Sequence, residues 1–161
     1  MAISPFIKRI RQLVGHELLV LPSVAVLPRH GDGRILLVRL VDTDQWATIG
    51  GAVEPDESPQ EAAVRETQEE AGVRVTLGPI LGVLGGPEFR VTYPNGDVTS
   101  YVVTVFDATV VGGTPQADGD ETSEVGWWAP GQLPFDQMNS LTAALLKAIV
   151  LPSLAGPVDT G

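Results

Sequence analysis

The chain has 161 residues, 43% hydrophobic and 19% charged, which suits one folded domain with a full core and excludes a disordered tract. Twenty acidic against 10 basic residues give a formal net charge of −10, which excludes duplex DNA or an anionic membrane as the main partner. There is no cysteine, which removes disulfides, zinc–thiolate sites and thiol nucleophiles.

The N-terminal "MAISPFIKRIRQLVG" lacks the basic-then-apolar order of a secretory signal, so the expected compartment is the cytoplasm. Ile3, Phe6, Ile7, Ile10, Leu13 and Val14 recur at helical spacing and predict a short amphipathic helix ending near Gly15. Its basic cluster, Lys8, Arg9 and Arg11, reads as a solvated helix face. Residues 17–27 are apolar and valine-rich, as a strand should be, and "ELLVLPSVAVLP" is too short and proline-broken to span a bilayer. "HGDG" (30–33) is turn chemistry, and "RILLVRL" (34–40) returns as the second strand of a hairpin. A polar loop, "VDTDQ", then leads through Trp46 to the glycine pair Gly50 and Gly51.

The next segment has the clearest local grammar. Ser58 reads as an N-cap, Pro59 as the first helical residue, and Glu61 as the reciprocal partner of a capping box. The helix is predicted over residues 59–71 and should stop at Gly72 in a left-handed conformation. At about 100° per residue, Val64, Thr67 and Ala71 are expected to face the core. Glu66, Glu69 and Glu70 should then lie on the opposite, surface side, repelling one another at positions i, i+3 and i+4.

From Val73 the chain reads as β. "VRVTLGPILGVLG" suggests two short strands broken at Gly78–Pro79, and "PNG" (94–96) marks a hairpin between "FRVTY" and "DVTSYVVTVFDATVV". Residues 112–124 read as a loop, followed by a short strand at "VGWW" in which Trp127 and Trp128 point to opposite sides. A last helix is predicted over 137–150, with Leu141, Leu145, Ala148 and Ile149 as its apolar face. Residues 151–161 read as a frayed tail behind one domain spanning 1–150. The element order predicts an α/β (α+β) fold, a mixed sheet with helices on its faces.

Five residues separate Gly51 from Glu57, and seven separate Glu57 from Arg65 in "GAVEPDESPQEAAVRETQEEAGV". With Glu66, Glu69, Glu70 and Gly72, this run resembles the signature of the Nudix hydrolases at every fixed position. The resemblance implies a mixed sheet sandwiched between helices, and hydrolysis of a diphosphate linkage in a nucleotide with Mg2+ or Mn2+. It implies that Glu66, Glu69 and Glu70 hold the metal, helped by a backbone carbonyl near Gly50 or Gly51. Glutamate oxygens on a rigid helix suit hard divalent cations, which neutralise a pyrophosphate's charge. Glu57 and Arg65 are expected to pair and brace the loop against the helix.

The catalytic base is open between a box glutamate, Glu69 or Glu66, and the loop glutamates Glu121 and Glu124, of which Glu121 is favoured by its position six residues before Trp127. Arg39 and Arg90 are candidates for phosphate contact. A ligand role for Tyr93 or Asp97 is secondary to their place in the hairpin turn, and His16 and His30 lack metal-site spacing. Three positions depart from the common family form: Thr48–Ile49 where Leu–Pro is usual, Asp56 where glycine is common, and Thr67 at an apolar position. None removes a ligand. The expected substrates are nucleoside triphosphates, oxidised ones included, or ADP-ribose-like conjugates, and a homodimer is a candidate assembly. The alternatives are a non-catalytic nucleotide-binding module and an RNA 5′ pyrophosphohydrolase, the latter disfavoured by the absence of a basic stripe.

Overall fold

A computed structural model describes residues 3–154; the frayed tail expected over 151–161 opens instead with a helical turn at Leu151–Leu154, and the rest of it lies outside the described residues. The amphipathic start forms α1 (Pro5–Val14), capped by the Ser4 hydroxyl, which accepts from the Ile7 amide. The apolar run forms β1 (Leu19–Arg29), followed by β2 (Ile35–Leu40), β3 (Trp46–Ala47) and β4 (Ile49–Ala52). Helix α2 (Pro59–Ala71) follows, then β5 (Val73–Leu84), β6 (Arg90–Thr92), β7 (Val98–Gly113), β8 (Thr122–Trp128) and helix α3 (Ser140–Ile149). A further turn, α4 (Leu151–Leu154), closes the described chain.

All eight strands join one mixed sheet, ordered β3-β2-β1-β7-β5, with β4 on β1, β6 on β7 and β8 on β2. Strand β1 runs parallel to β7 from Leu19↔Thr99 to Arg29↔Thr109, and the other pairings are antiparallel. Central strands are covered on both faces, which is why β1 and β2 read as unbroken apolar runs. Val24 and Val26, with Leu36 and Val38, face α2 beside Phe106. Ala25 and Leu27, with Ile35 and Leu37, face α3 beside Leu145 and Leu146.

Several boundaries differ from the sequence reading. Strand β5 is continuous through Gly78–Pro79, because irregular register on β7 between Leu77 and Gly82 absorbs the break. Strand β8 begins at Thr122, inside the predicted loop, drawn in by pairing with Leu40. Helix α3 starts at Ser140, where Asn139 caps it by accepting from the Thr142 amide. Its fully buried residues are Thr142, Leu145 and Leu146, so Leu141, Ala148 and Ile149 are not its centre. Helix α1 buries no residue completely, and Arg11 ties it to the Val98 carbonyl, the Thr99 hydroxyl and Asp97.

Candidate active site

Helix α2 starts and stops as its sequence dictates. The Ser58 hydroxyl accepts from the Glu61 amide at 3.2 Å, Glu61 Oε2 accepts from the Ser58 amide at 2.8 Å, and Gly72 ends the helix at φ 67°. Its buried arc, however, is Ala62, Ala63, Glu66, Thr67, Glu70 and Ala71. Val64, expected in the core, is 42% exposed, while Glu66 and Glu70, expected on the surface, are 9% and 5% exposed. The buried residues form one continuous half of the helix, turned toward β4, β5 and β1, and its centre lies nearer Glu66 and Glu70 than Val64. Only Glu69 of the three keeps an exposed side chain.

The glycine pair lets those carboxylates in. Glu70 Oε2 accepts from the Gly50 amide at 3.1 Å. A side chain at Gly51 would overlap the Glu66 carboxylate, and one at Gly50 would overlap the Val24 carbonyl of β1. Strand β4 can thus pair with β1 and lie against two buried glutamates only because both positions lack a Cβ. Isoleucine in place of the usual proline at position 49 is fully buried and paired with Val26, so the strand keeps its path.

Arg65 ties the flank together. Its guanidinium donates to Glu57 through Nε (2.7 Å) and Nη2 (3.0 Å), and to the Ala52 carbonyl through Nη2 (3.3 Å). Nη1 reaches Glu66 Oε1 at 2.7 Å and Glu69 Oε2 at 3.1 Å. Glu57 also accepts from the Glu54 amide, which closes the segment between strand and helix. The hydrogen bonds from Arg65 hold the Glu57 carboxyl below its ordinary range, and Glu57 raises the Arg65 pKa in return.

Three carboxylates, those of Glu57, Glu66 and Glu69, share one guanidinium, and the imbalance falls on the buried glutamates. Burial pushes the Glu66 carboxyl up, opposed by Arg65 and reinforced by the charges of Glu69 and Glu121. Burial, then the charge of Glu66, pushes Glu70 well above its ordinary value, with Glu121 and Asp118 adding to the effect against the Gly50 hydrogen bond. Among the described residues no three Asp, Glu or His side chains converge on one point, and Arg65 occupies one oxygen each of Glu66 and Glu69. The donor set nonetheless fits a hard divalent cation: the side-chain ligands are all oxygen, and the two buried carboxylates need positive charge.

The remaining candidates separate by face of the sheet. A bulge at Ser123 puts Thr122 opposite Leu40, on the side of α2, and Glu124 opposite Arg39, on the side of Trp46. Glu121, next to Thr122, acts electrostatically on Glu66 and Glu70, whereas Glu124 lies 3.7 Å from Arg39. Arg39 is held by Asp44 at 2.7 and 3.1 Å and lies over the Trp46 ring. Arg90 is exposed on β6. Tyr93 bonds the Tyr101 hydroxyl, and Asp97 accepts from His16 and Asn95, away from the box. Trp127 packs with the α2 cluster and against His30, and Trp128 with the α3 cluster and against Trp46. Sequence reasoning missed three contributors: the Gly50 amide, the Ala52 carbonyl, and the Asp118–Thr122 pair described below. Backbone groups leave no mark on a side-chain pattern.

A glycine-opened strand laid against a helix with buried, arginine-tied glutamates defines a class of sites built for a cation and a polyanion. The chain belongs to the Nudix family: it matches the NUDIX domain over residues 20–149. It is 39% identical over 102 residues to a Bacillus subtilis (strain 168) protein provisionally named for 8-oxo-dGTP diphosphatase activity, covering 63% of this chain and 62% of that one. A MutT-like protein of Streptomyces ambofaciens is 31% identical over 79% of this chain and 75% of its own length. The crystal structure of a MutT NUDIX hydrolase from Burkholderia pseudomallei superposes with a TM-score of 0.67 at 26% identity, covering 80% of this chain and 97% of that one. The matched segment thus spans slightly less than two thirds of the Bacillus relative.

Proposed function

We propose that this protein is a pyrophosphohydrolase that cleaves the diphosphate linkage of a nucleotide in the presence of Mg2+ or Mn2+. The observation that carries the reading is the buried Glu66–Glu70 pair, opened to β4 by Gly50 and Gly51 and raised in pKa by burial and then by neighbouring carboxylates. Glu66, Glu69 and Glu70, with a carbonyl of the glycine pair, would hold the metal. When bound, the cation would neutralise the diphosphate oxygens and acidify water. Arg65, fixed by Glu57, sets the orientation of Glu66 and Glu69. Glu121 is assigned as the base that takes a proton from the attacking water. That water's oxygen bonds to phosphorus as the P–O bond of the anhydride breaks, and the leaving phosphate carries away the electron pair.

Residues 1–150 are taken as one catalytic domain, in the cytoplasm. Nucleoside triphosphates, oxidised ones among them, are the favoured substrates, supported by the name of the Bacillus relative; ADP-ribose-like conjugates are the second group. A turnover screen of dGTP, 8-oxo-dGTP and ADP-ribose with Mg2+, with products identified, tests this directly. Turnover of one nucleotide to a monophosphate, abolished by chelation, is expected. Binding without turnover of any of the three would favour a non-catalytic module.

A further inference from the structure

We propose that Asp118 and Thr122 form a clasp that positions Glu121 over the buried glutamates, and that Asp118 is therefore a positioning residue for hydrolysis. This rests on the assignment of Glu121 as base. Its starting point is the C-terminal end of α2, whose last carbonyls have no partner within the helix. The Gln116 amide donates to the Ala71 carbonyl at 3.0 Å, and the Thr122 hydroxyl donates to the Glu70 carbonyl at 2.8 Å. The segment 114–122 is thus fastened to the very turn that carries Glu70, and Thr122 is completely buried there.

Asp118 then shapes what lies between the fastenings. One carboxylate oxygen, Oδ1, accepts from the amides of Asp120 (3.0 Å), Glu121 (3.0 Å) and Thr122 (2.9 Å). The Asp118 amide in turn donates to the Thr122 hydroxyl at 3.1 Å, and the Gly119 amide to the Thr122 carbonyl at 2.9 Å. The backbone of Glu121 is consequently fixed on both sides: its amide on Asp118, and its carbonyl accepting from the Val41 amide at 3.0 Å. Glu70, Thr122, Asp118 and Glu121 form one chain of contacts from the helix to the base. A base whose backbone drifts by an ångström loses its reach to the attacking water.

Such a link acts through geometry, so an asparagine, which offers the same acceptor oxygen, should replace Asp118. In turnover of dGTP or ADP-ribose, whichever is faster, Asp118→Ala should lower kcat by about tenfold or more. KM should change little, and Asp118→Asn should restore most of the rate. In a Glu121→Gln background, Asp118→Ala should cost nothing further, because the group it positions is already disabled. If Asp118→Ala fails to fold, Thr122→Val and Thr122→Ser ask the same question, with loss expected for valine and retention for serine. Hydrogen exchange of the amides of residues 120–122 should quicken in Asp118→Ala, even without added metal. The clasp is overturned if Asp118→Ala keeps full kcat while Glu121→Gln loses it, or if the two losses multiply in the double variant. Retention of kcat in Glu121→Gln alone would instead sink the base assignment, and with it the clasp's stated purpose.

Discussion

Two ionic clusters in this molecule use the same residue types to opposite ends. Beneath α1, Arg11 donates to the Val98 carbonyl and the Thr99 hydroxyl and lies 3.6 Å from Asp97, which also accepts from His16 and Asn95. Charges there are matched. The hydrogen bond from His16 leads the groups that hold the Asp97 carboxyl below its ordinary value against the effect of burial. Along α2 the count is unmatched, and Glu66 and Glu70 are pushed up instead. A balanced cluster fastens a helix to a hairpin, whereas an unbalanced one favours whatever neutralises its carboxylates, a proton or a cation.

The largest test of this contrast is Glu70→Gln, which should reduce metal-dependent turnover on the order of 100-fold or more. In chelator the same variant should melt at a higher temperature than the parent, since it removes a buried charge and can still accept from Gly50. A lower melting temperature would mean that Glu70 is already compensated within the chain. Next, Glu57→Gln should lower turnover by about 10-fold to 100-fold by loosening Arg65, without removing a ligand.

On the balanced side, Asp97→Asn should leave kcat unchanged and alter only stability. Because the folded-state pKa of Asp97 is depressed, its contribution is present above the ordinary 3.8 and is lost as pH falls through the folded value. The parent's advantage over the variant should therefore shrink in acid denaturation below about pH 4, and an advantage that grew there would reverse the assignment. Smallest of all, Val64→Ala should change stability by no more than about 0.5 kcal/mol, because Val64 lies outside the buried arc of α2.

That last position shows where the sequence was legible. The limits of α2 were readable because Ser58, Glu61 and Gly72 act on their own neighbours. The family resemblance carried by the box implied that Glu57 and Arg65 pair, as they do. Which arc of α2 faces inward was not readable, since two of the side chains that fill it, Glu66 and Glu70, are charged and add nothing to an apolar period. The inward turn of Thr122 was equally hidden. It depends on the bulge at Ser123, which sets Thr122 opposite Leu40 on the side of α2 and is fixed by pairing with β2, some 80 residues upstream.

The parallel pairing of β1 with β7 also has a consequence in time. The glycine strand β4 is seated on β1, and β1 gains its other neighbour only when β7, which ends at Gly113, has been synthesised. A ribosome adding about 5–20 residues per second needs a few seconds to pass from Gly72 to that point. Glu66 and Glu70 are thus synthesised before the strand that completes the sheet beneath their helix. Burial of the crowded glutamates is thereby a long-range event, contingent on chain made after the helix itself.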